Sequence, residues 1–416
     1  MRKILKPKVI LGSSVATAFE WYDYALFGSL ASLIGEKFFP SSDPAASLLN
    51  AFLLFAVGYI MRPIGGVLFG MIGDKYGRRT ALSSAVFCMA FPTGIIGLLP
   101  SYDSIGMAAP IIMTIVRVIQ GLSMGGALTG SASFLIEHSP ENRKGLFCST
   151  SMASLCFGVL LASLVVSFLK YILSFEDFLG WGWRIPFLLG FFIIYASHYI
   201  KTNTAETPMF LTAKECGHLS KNPLAESFSS YKVKMLISIM INSTGSVIFY
   251  LQATYLLNYL KLFRNFDDSQ IYLMLNFSYF IMIFATLFSG WVSDIIGRKK
   301  LYSITLIAVI CSINYIVTQF ESGSYSSIVF CSNLLAVLAA IYIGAEPALQ
   351  SELYDTKVRN TALSISYNTA TTLFGGTAPL IFGIIVARFG SIQFVSYYVI
   401  FCAIMSLVGI WFYKRV

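Results

Sequence analysis

Twelve apolar runs divide the chain: Val9–Leu33, Leu48–Ile72, Thr80–Leu99, Ile105–Ile136, Gly145–Leu173, Trp183–Ile200, Val233–Leu260, Ile271–Ser293, Leu301–Phe320, Ser327–Leu353, Asn360–Arg388 and Ile392–Tyr413. Crossing the hydrocarbon of a bilayer takes about 20 apolar residues in a helix, and these runs reach or approach that length. The connections between them are short and polar. Only Lys201–Lys232 is long, and it falls midway, with six runs on either side. The pattern predicts an all-α membrane protein of twelve transmembrane helices in two six-helix bundles. The expected divisions are 1–200, a connector at 201–232, and 233–416.

Composition supports this. Charged residues make up 12% of the chain and hydrophobic ones 56%, whereas a soluble domain carries about 25% charged residues. Disorder, a secreted disulfide scaffold and nucleic-acid binding are thereby excluded. The seven cysteines include no CxxC and read as small apolar residues. The first run is long for the core of a cleaved signal and reads as a retained helix.

Lysine and arginine set the orientation. With the N-terminus inside, 21 of the 29 basic residues fall in the inner connections, six fall outside, and Arg62 and Arg117 lie within helices. Both termini are therefore expected in the cytoplasm.

A sequence repeat relates the halves. Gly70-Met-Ile-Gly-Asp74-Lys-Tyr-Gly77-Arg78-Arg79 returns 220 residues later as Gly290-Trp-Val-Ser-Asp294-Ile-Ile-Gly297-Arg298-Lys299, each after the second helix of its half. A weaker pair, Glu137…Arg143 and Glu352…Arg359, follows the fourth. Repeats on this scale imply two similar bundles. In each copy the aspartate can accept hydrogen bonds from a helix N-terminus or pair with arginine. Gly70, Asp74, Gly77, Arg78, Arg79, Asp294, Gly297 and Arg298 are thus candidate members of a gating loop that latches in one conformation and opens in another.

These features resemble the major facilitator superfamily. Further residues carry a narrower resemblance: Phe19-Glu20-Trp21-Tyr22-Asp23, Arg62-Pro63-Ile64-Gly65-Gly66, Gln120-Gly121-Leu-Ser-Met-Gly125-Gly126, Gly180-Trp-Gly-Trp183-Arg184-Ile-Pro186-Phe187 and Glu206-Thr207-Pro208. The series is similar to the metabolite:proton symporters, most closely their proline/betaine members. The resemblance implies a proton-coupled importer in a bacterial inner membrane. One departure stands out. Relatives carry a glutamate and an aromatic residue after the Gly-Gly of the fourth helix, where this chain has Ala127 and Leu128.

A charge inside the bilayer is a functional candidate by default. Glu20 and Asp23, three apart in the first helix, are candidate proton carriers, or structural partners of Arg62 or Arg117. Glu346, before Pro347 in the tenth helix, is a third candidate. It could compensate for the carboxylate missing at 127. Arg117, with Gln120 one turn on, suits a substrate carboxylate through its planar fork, and could equally be held by Glu20 or Asp23. Trp21, Tyr24 and Tyr250 belong to helices that line the cavity in this superfamily, where aromatic faces could hold a quaternary ammonium. Trp183 and Arg184 read as an outer-interface anchor. No phosphate-binding loop, HExxH, zinc spacing or GxSxG is present.

The sequence therefore predicts a secondary transporter and not an enzyme, without cofactor or metal and driven by a proton gradient. It is expected to work as a monomer in the bilayer on a small zwitterion such as proline or betaine. An organic acid of shikimate, citrate or dicarboxylate type is the alternative substrate, and a transporter-like sensor the alternative class.

Overall fold

The computed structural model describes residues 7–40, 44–217, 219–264 and 266–413. Its helices are α1 Pro7–Ser29, α2 Pro44–Tyr76, α3 Arg78–Leu98, α4 Ala108–His138, α5 Lys144–Ile172 and α6 Phe175–Asn203, then α7 Lys232–Lys261, α8 Asp268–Ile296, α9 Arg298–Ser322, α10 Tyr325–Ser351, α11 Arg359–Phe389 and α12 Gln393–Phe412. Short helices Pro208–Glu215 and Pro223–Ser230 lie in the connector. The chain is an all-helical, multi-pass membrane protein.

In lipid the polarity of a helix is inverted. Phe277, Phe280, Phe284 and Phe288 form an exposed stripe on α8, while Ser278, Thr286, Ser289 and Ser293 are buried on its other side. Small residues on the packed face let backbones approach, and van der Waals contact takes over from the hydrophobic effect as the force between helices. In this way α2 packs on α4 and α11, α5 on α1 and α8, and α8 on α10, while α3 and α6, and α9 and α12, pair on the flanks. The α2–α11 and α5–α8 contacts join the two bundles.

Three boundaries differ from the sequence reading. First, α1 ends at Ser29 and the chain continues as a separate helix, Ala31–Phe38. Second, α6 begins at Phe175, eight residues before Trp183. Ser174 caps it, and a π-helical turn at Phe178–Gly182 carries the chain past two glycines that had masked the helical period. Trp183 is consequently not an interface anchor. It is 1% exposed and packs on Phe38 and Phe187 at ring distances of 6.0 and 6.2 Å. Third, the repeated motif is barely a loop. Asp74 and Asp294 lie in the last turns of α2 and α8, and Gly77 and Gly297 alone interrupt the helices. Their φ angles are 109° and 87°, a region that side chains with a Cβ avoid.

Candidate functional site

The motif copies latch the two bundles reciprocally. Asp74, on α2, accepts backbone N–H groups of Thr361 (2.8 Å) and Asn360 (3.3 Å) at the N-terminus of α11. Asp294, on α8, accepts those of Gly145 (2.8 Å) and Leu146 (2.9 Å) at the N-terminus of α5. Each carboxylate thus lies on the positive end of a helix dipole in the opposite bundle. Arg78 pairs with Asp74 at 3.1 Å and with Glu137 at 3.2 Å, and donates to the Thr356 carbonyl. Glu137 also takes Arg359 at 3.0 Å. Arg298 pairs with Asp294 (3.2 Å) and Glu352 (3.3 Å). The connector joins in, since Glu206 accepts the backbone N–H groups of Arg78 and Arg79, and Thr207 donates to Glu137 at 2.6 Å. On this face, called the motif face below, the molecule is closed.

The intramembrane charges separate into two groups. Asp23 accepts from Gln120 Nε2 at 2.9 Å and lies 3.7 Å from Arg117, which in turn donates to Gln120 Oε1 at 2.9 Å. Gln120 also donates to Thr93 at 2.9 Å, and the Arg117 guanidinium stacks 3.3 Å from the centre of the Phe27 ring. Arg117 is therefore held by Asp23, the structural alternative that the sequence left open.

Glu20 is also buried, yet neither of its carboxyl oxygens has a hydrogen-bond partner among the described residues. Nor do Nη1 and Nη2 of Arg62, whose Nε donates to Asn368 at 3.3 Å. Arg62 is the cation that acts on Glu20, from beyond ion-pair distance. Glu20 and Asp23 thus do not share a partner. Three residues along a helix leave side chains about 60° apart, enough to turn Asp23 to α4 and Glu20 away from it.

Next to Arg62 is a box of rings. Trp21 and Tyr24 of α1, Tyr59 of α2, and Phe249 and Tyr250 of α7 meet edge to face. Ring distances are 5.1 Å for Trp21–Tyr24, 5.3 Å for Trp21–Phe249, 5.8 Å for Tyr24–Tyr59 and 6.0 Å for Tyr59–Tyr250. The Tyr59 and Tyr250 hydroxyls hydrogen-bond across the bundles, and Arg62 lies 5.3 Å from the Tyr59 ring centre. Two π-helical turns flank the box, Leu251–Tyr255 in α7 and Thr371–Gly376 in α11. A Cβ at Gly375 would come within 2.5 Å of Tyr250, and one at Gly376 within 2.8 Å of Tyr59, so α11 closes on the rings through bare backbone. Tyr59 and both π turns were not among the sequence candidates, and Arg62 was read there only as a possible structural partner of Glu20 or Asp23. Arg62 was readable as an intramembrane charge and Tyr59 as its neighbour one turn earlier.

Glu346 is apart from this box, near the motif-face end of α10, where Gln350 donates to its Oε1 at 2.7 Å. It does not meet Ala127, which packs on Phe69 and Ala85.

The family model for sugar and other transporters matches residues 9–227, and that of the major facilitator superfamily matches residues 235–416. The chain belongs to the major facilitator superfamily. A solved proton:xylose symporter, XylE bound to 6-bromo-6-deoxy-D-glucose, has the major facilitator fold with a TM-score of 0.76 over 98% of this chain and 95% of that one, at 18% identity. A D-xylose-proton symporter gives 0.70 at 20% identity over 97% and 96%. By sequence, the proline/betaine transporter of Escherichia coli (strain K12) is 29% identical over 96% of this chain and 82% of that protein. A Staphylococcus aureus (strain COL) protein, described provisionally as a proline/betaine transporter, is 31% identical over 97% and 87%. As a major facilitator protein this chain is a membrane transporter and not an enzyme.

Proposed function

We propose that the chain is a proton-coupled importer of a small zwitterion whose cation is a quaternary ammonium, and that the motif face is cytoplasmic. One observation carries this reading. Arg62, buried with two nitrogens that have no hydrogen-bond partner among the described residues, Glu20, a buried carboxyl likewise without one, and five aromatic rings occupy one site between the bundles. The rings suit a trimethylammonium group through cation–π attraction. Arg62 suits the carboxylate that such a molecule carries. Arg117 already has Asp23 as its ion-pair partner, whereas Arg62 forms no ion pair among the described residues, which favours a monocarboxylate zwitterion over a di- or tricarboxylate. The names of the relatives point to the same substrate class.

Glu20 is the proposed proton carrier, and Asp23 positions Arg117. A substrate carboxylate on Arg62 neutralises the positive charge that acts on Glu20. Substrate and proton then enter together, because both bias one equilibrium. A buried carboxyl without a cation crosses the closed state with its proton, since isolated charge is costly to bury.

The test is uptake of radiolabelled betaine and proline into proteoliposomes with and without an inward proton gradient. Gradient-dependent accumulation is expected, lost in Glu20→Gln with substrate exchange retained. Accumulation of citrate but not betaine would overturn the substrate assignment. Accumulation in Glu20→Gln equal to the wild type would move the proton elsewhere.

A further inference from the structure

We infer that Glu346 is a second proton-binding site, in the C-terminal bundle, whose protonation is required for the motif-face gate to close and which exchanges its proton with that face alone. The inference rests on the proposed reading only in taking the motif face as cytoplasmic.

Glu346 lies five residues before the end of α10 at Ser351, so about 8 Å of helix separates it from the motif face, against about 30 Å from the other end. The side chain is 2% exposed. Among the described residues its carboxyl accepts one hydrogen bond, from Gln350, and no cation acts on it. The titratable groups that face it are tyrosines: Tyr302 on α9, Tyr342 on α10 and Tyr367 on α11. None comes from α4, α5, α7 or α8 among the described residues. Glu346 borders a cavity of about 10 Å³, room for one water molecule.

The walls of that cavity give the site its switch. Leu128 and Thr129 of α4 and Met152 of α5 come from one bundle, and Glu346 of α10 with Leu363 and Tyr367 of α11 from the other. Beside it, Thr129 and Ser364 share a hydrogen bond of 2.6 Å, and Asn368 donates to the Gly125 carbonyl at 2.7 Å. Separation of the bundles on the motif face removes the α4 and α5 walls and wets the carboxyl. Closure dries it.

An ionised carboxylate with one hydrogen bond and no cation is costly to bury, while the neutral acid is far less so. Closure is therefore linked to uptake of one proton, taken from the compartment that has just been shut out. The apolar Leu128 of α4 forms part of the dry wall. The carboxyl of this chain lies across the bundle interface from it. Glu20 faces the substrate site and serves the transported proton, whereas Glu346 reports the pH of the motif-face compartment.

The experiment measures closure directly, with spin labels at Glu141 and Lys300, exposed on the two bundles at the motif face, in reconstituted protein whose two compartments are set to different pH. In the wild type, alkalinisation of the motif-face compartment should lower the ratio of closed to open protein ~10-fold per pH unit once the group has titrated. In Glu346→Gln, an uncharged isostere of the protonated acid, the ratio should not follow that pH, while gradient-driven accumulation persists. Infrared difference spectra of closure should contain a protonated-carboxyl band that Glu346→Gln removes.

A wild type indifferent to motif-face pH overturns the inference whatever the variant does. So does a Glu346→Gln variant that keeps the wild-type pH response. Loss of accumulation with exchange intact in Glu346→Gln would also overturn it, by making Glu346 the transported-proton site. Failure of the proposed function itself would be seen in the wild type, as an absence of gradient-driven uptake.

Discussion

Replacement of Asp74 by asparagine isolates the latch. Thr361 N, Asn360 N and Arg78 converge on that carboxylate at 2.8, 3.3 and 3.1 Å. An amide keeps one acceptor oxygen and turns an NH2 group toward a donor. One charged hydrogen bond is lost, worth about 1.5–3 kcal/mol. The interaction of the charge with the α11 N-terminus adds about 0.3–1 kcal/mol. Together these destabilise the closed state by about 2–4 kcal/mol, a shift of roughly 30- to 1,000-fold in the gate equilibrium. Ser364 is buried behind the gate, bonded to Thr129. In a background with the native cysteines replaced, the rate at which a membrane-impermeant thiol reagent labels Ser364→Cys from the motif face should rise by that factor in Asp74→Asn. Asp294→Asn should behave alike, because both of its oxygens accept backbone N–H groups of α5 at 2.8 and 2.9 Å. Transport lost in both variants with labelling unchanged would refute the latch and leave the motif as a determinant of topology or folding.

Arg62→Lys should raise the KM for betaine at least ~10-fold with little loss of thermal stability, since an ammonium lacks the bidentate fork. Arg117→Lys should instead lower the melting temperature, because it disturbs the Asp23–Gln120–Thr93 network. Tyr250→Leu should weaken betaine uptake by about 2- to 30-fold, the ~0.5–2 kcal/mol of one cation–π face, and proline uptake by less; competition between the two labelled substrates reads the ratio. In the connector, Glu226 pairs with Lys357 and Tyr231 bonds Asp355, which dock Pro223–Ser230 on the segment before α11. The hydrogen bond from Lys357 holds the Glu226 carboxyl below its ordinary range. A depressed carboxyl stabilises docking above the unfolded value and loses that contribution as pH falls through the folded one. Hydrogen exchange of Pro223–Ser230 should therefore be unaffected by titration of Glu226 at neutral pH, and its protection should fall only under acid conditions, by less than ~1 kcal/mol for so exposed a pair.

The helix count was legible because a bilayer imposes a minimum length that soluble folds do not, and each run met or approached it. The motif was legible from its spacing, and so was the kind of partner its aspartates take, a helix N-terminus or an arginine, but which helices supply it was not. The backbone N–H groups that Asp74 and Asp294 meet belong to helices in the opposite bundle, and pairing across bundles is tertiary information. The intramembrane charges show the same limit. Sequence places Glu20, Asp23, Arg62 and Arg117 in the membrane, yet which arginine is neutralised depends on helix rotation, and it is Arg117 that Asp23 takes. Trp183 was misread because an aromatic residue beside an arginine at the start of an apolar run has the composition of an interfacial belt. The π turn before it moves the ring into the bundle.

The π turns in α7 and α11 also bear on how such a molecule moves. Leu251–Tyr255 and Thr371–Gly376 leave part of the backbone outside the i→i+4 ladder, level with the aromatic box. Below them, Lys232–Tyr250 and Arg359–Ala370 are tied to the latch end of the bundle, and above them Leu256–Arg264 and Ala378–Phe389 continue as separate helical segments. A bend at these two joints would swing the upper segments aside while the lower ones stay clamped. Access from the opposite face would then require no pivot of one whole bundle against the other, and the doors at the two ends of the pathway would have separate hinges.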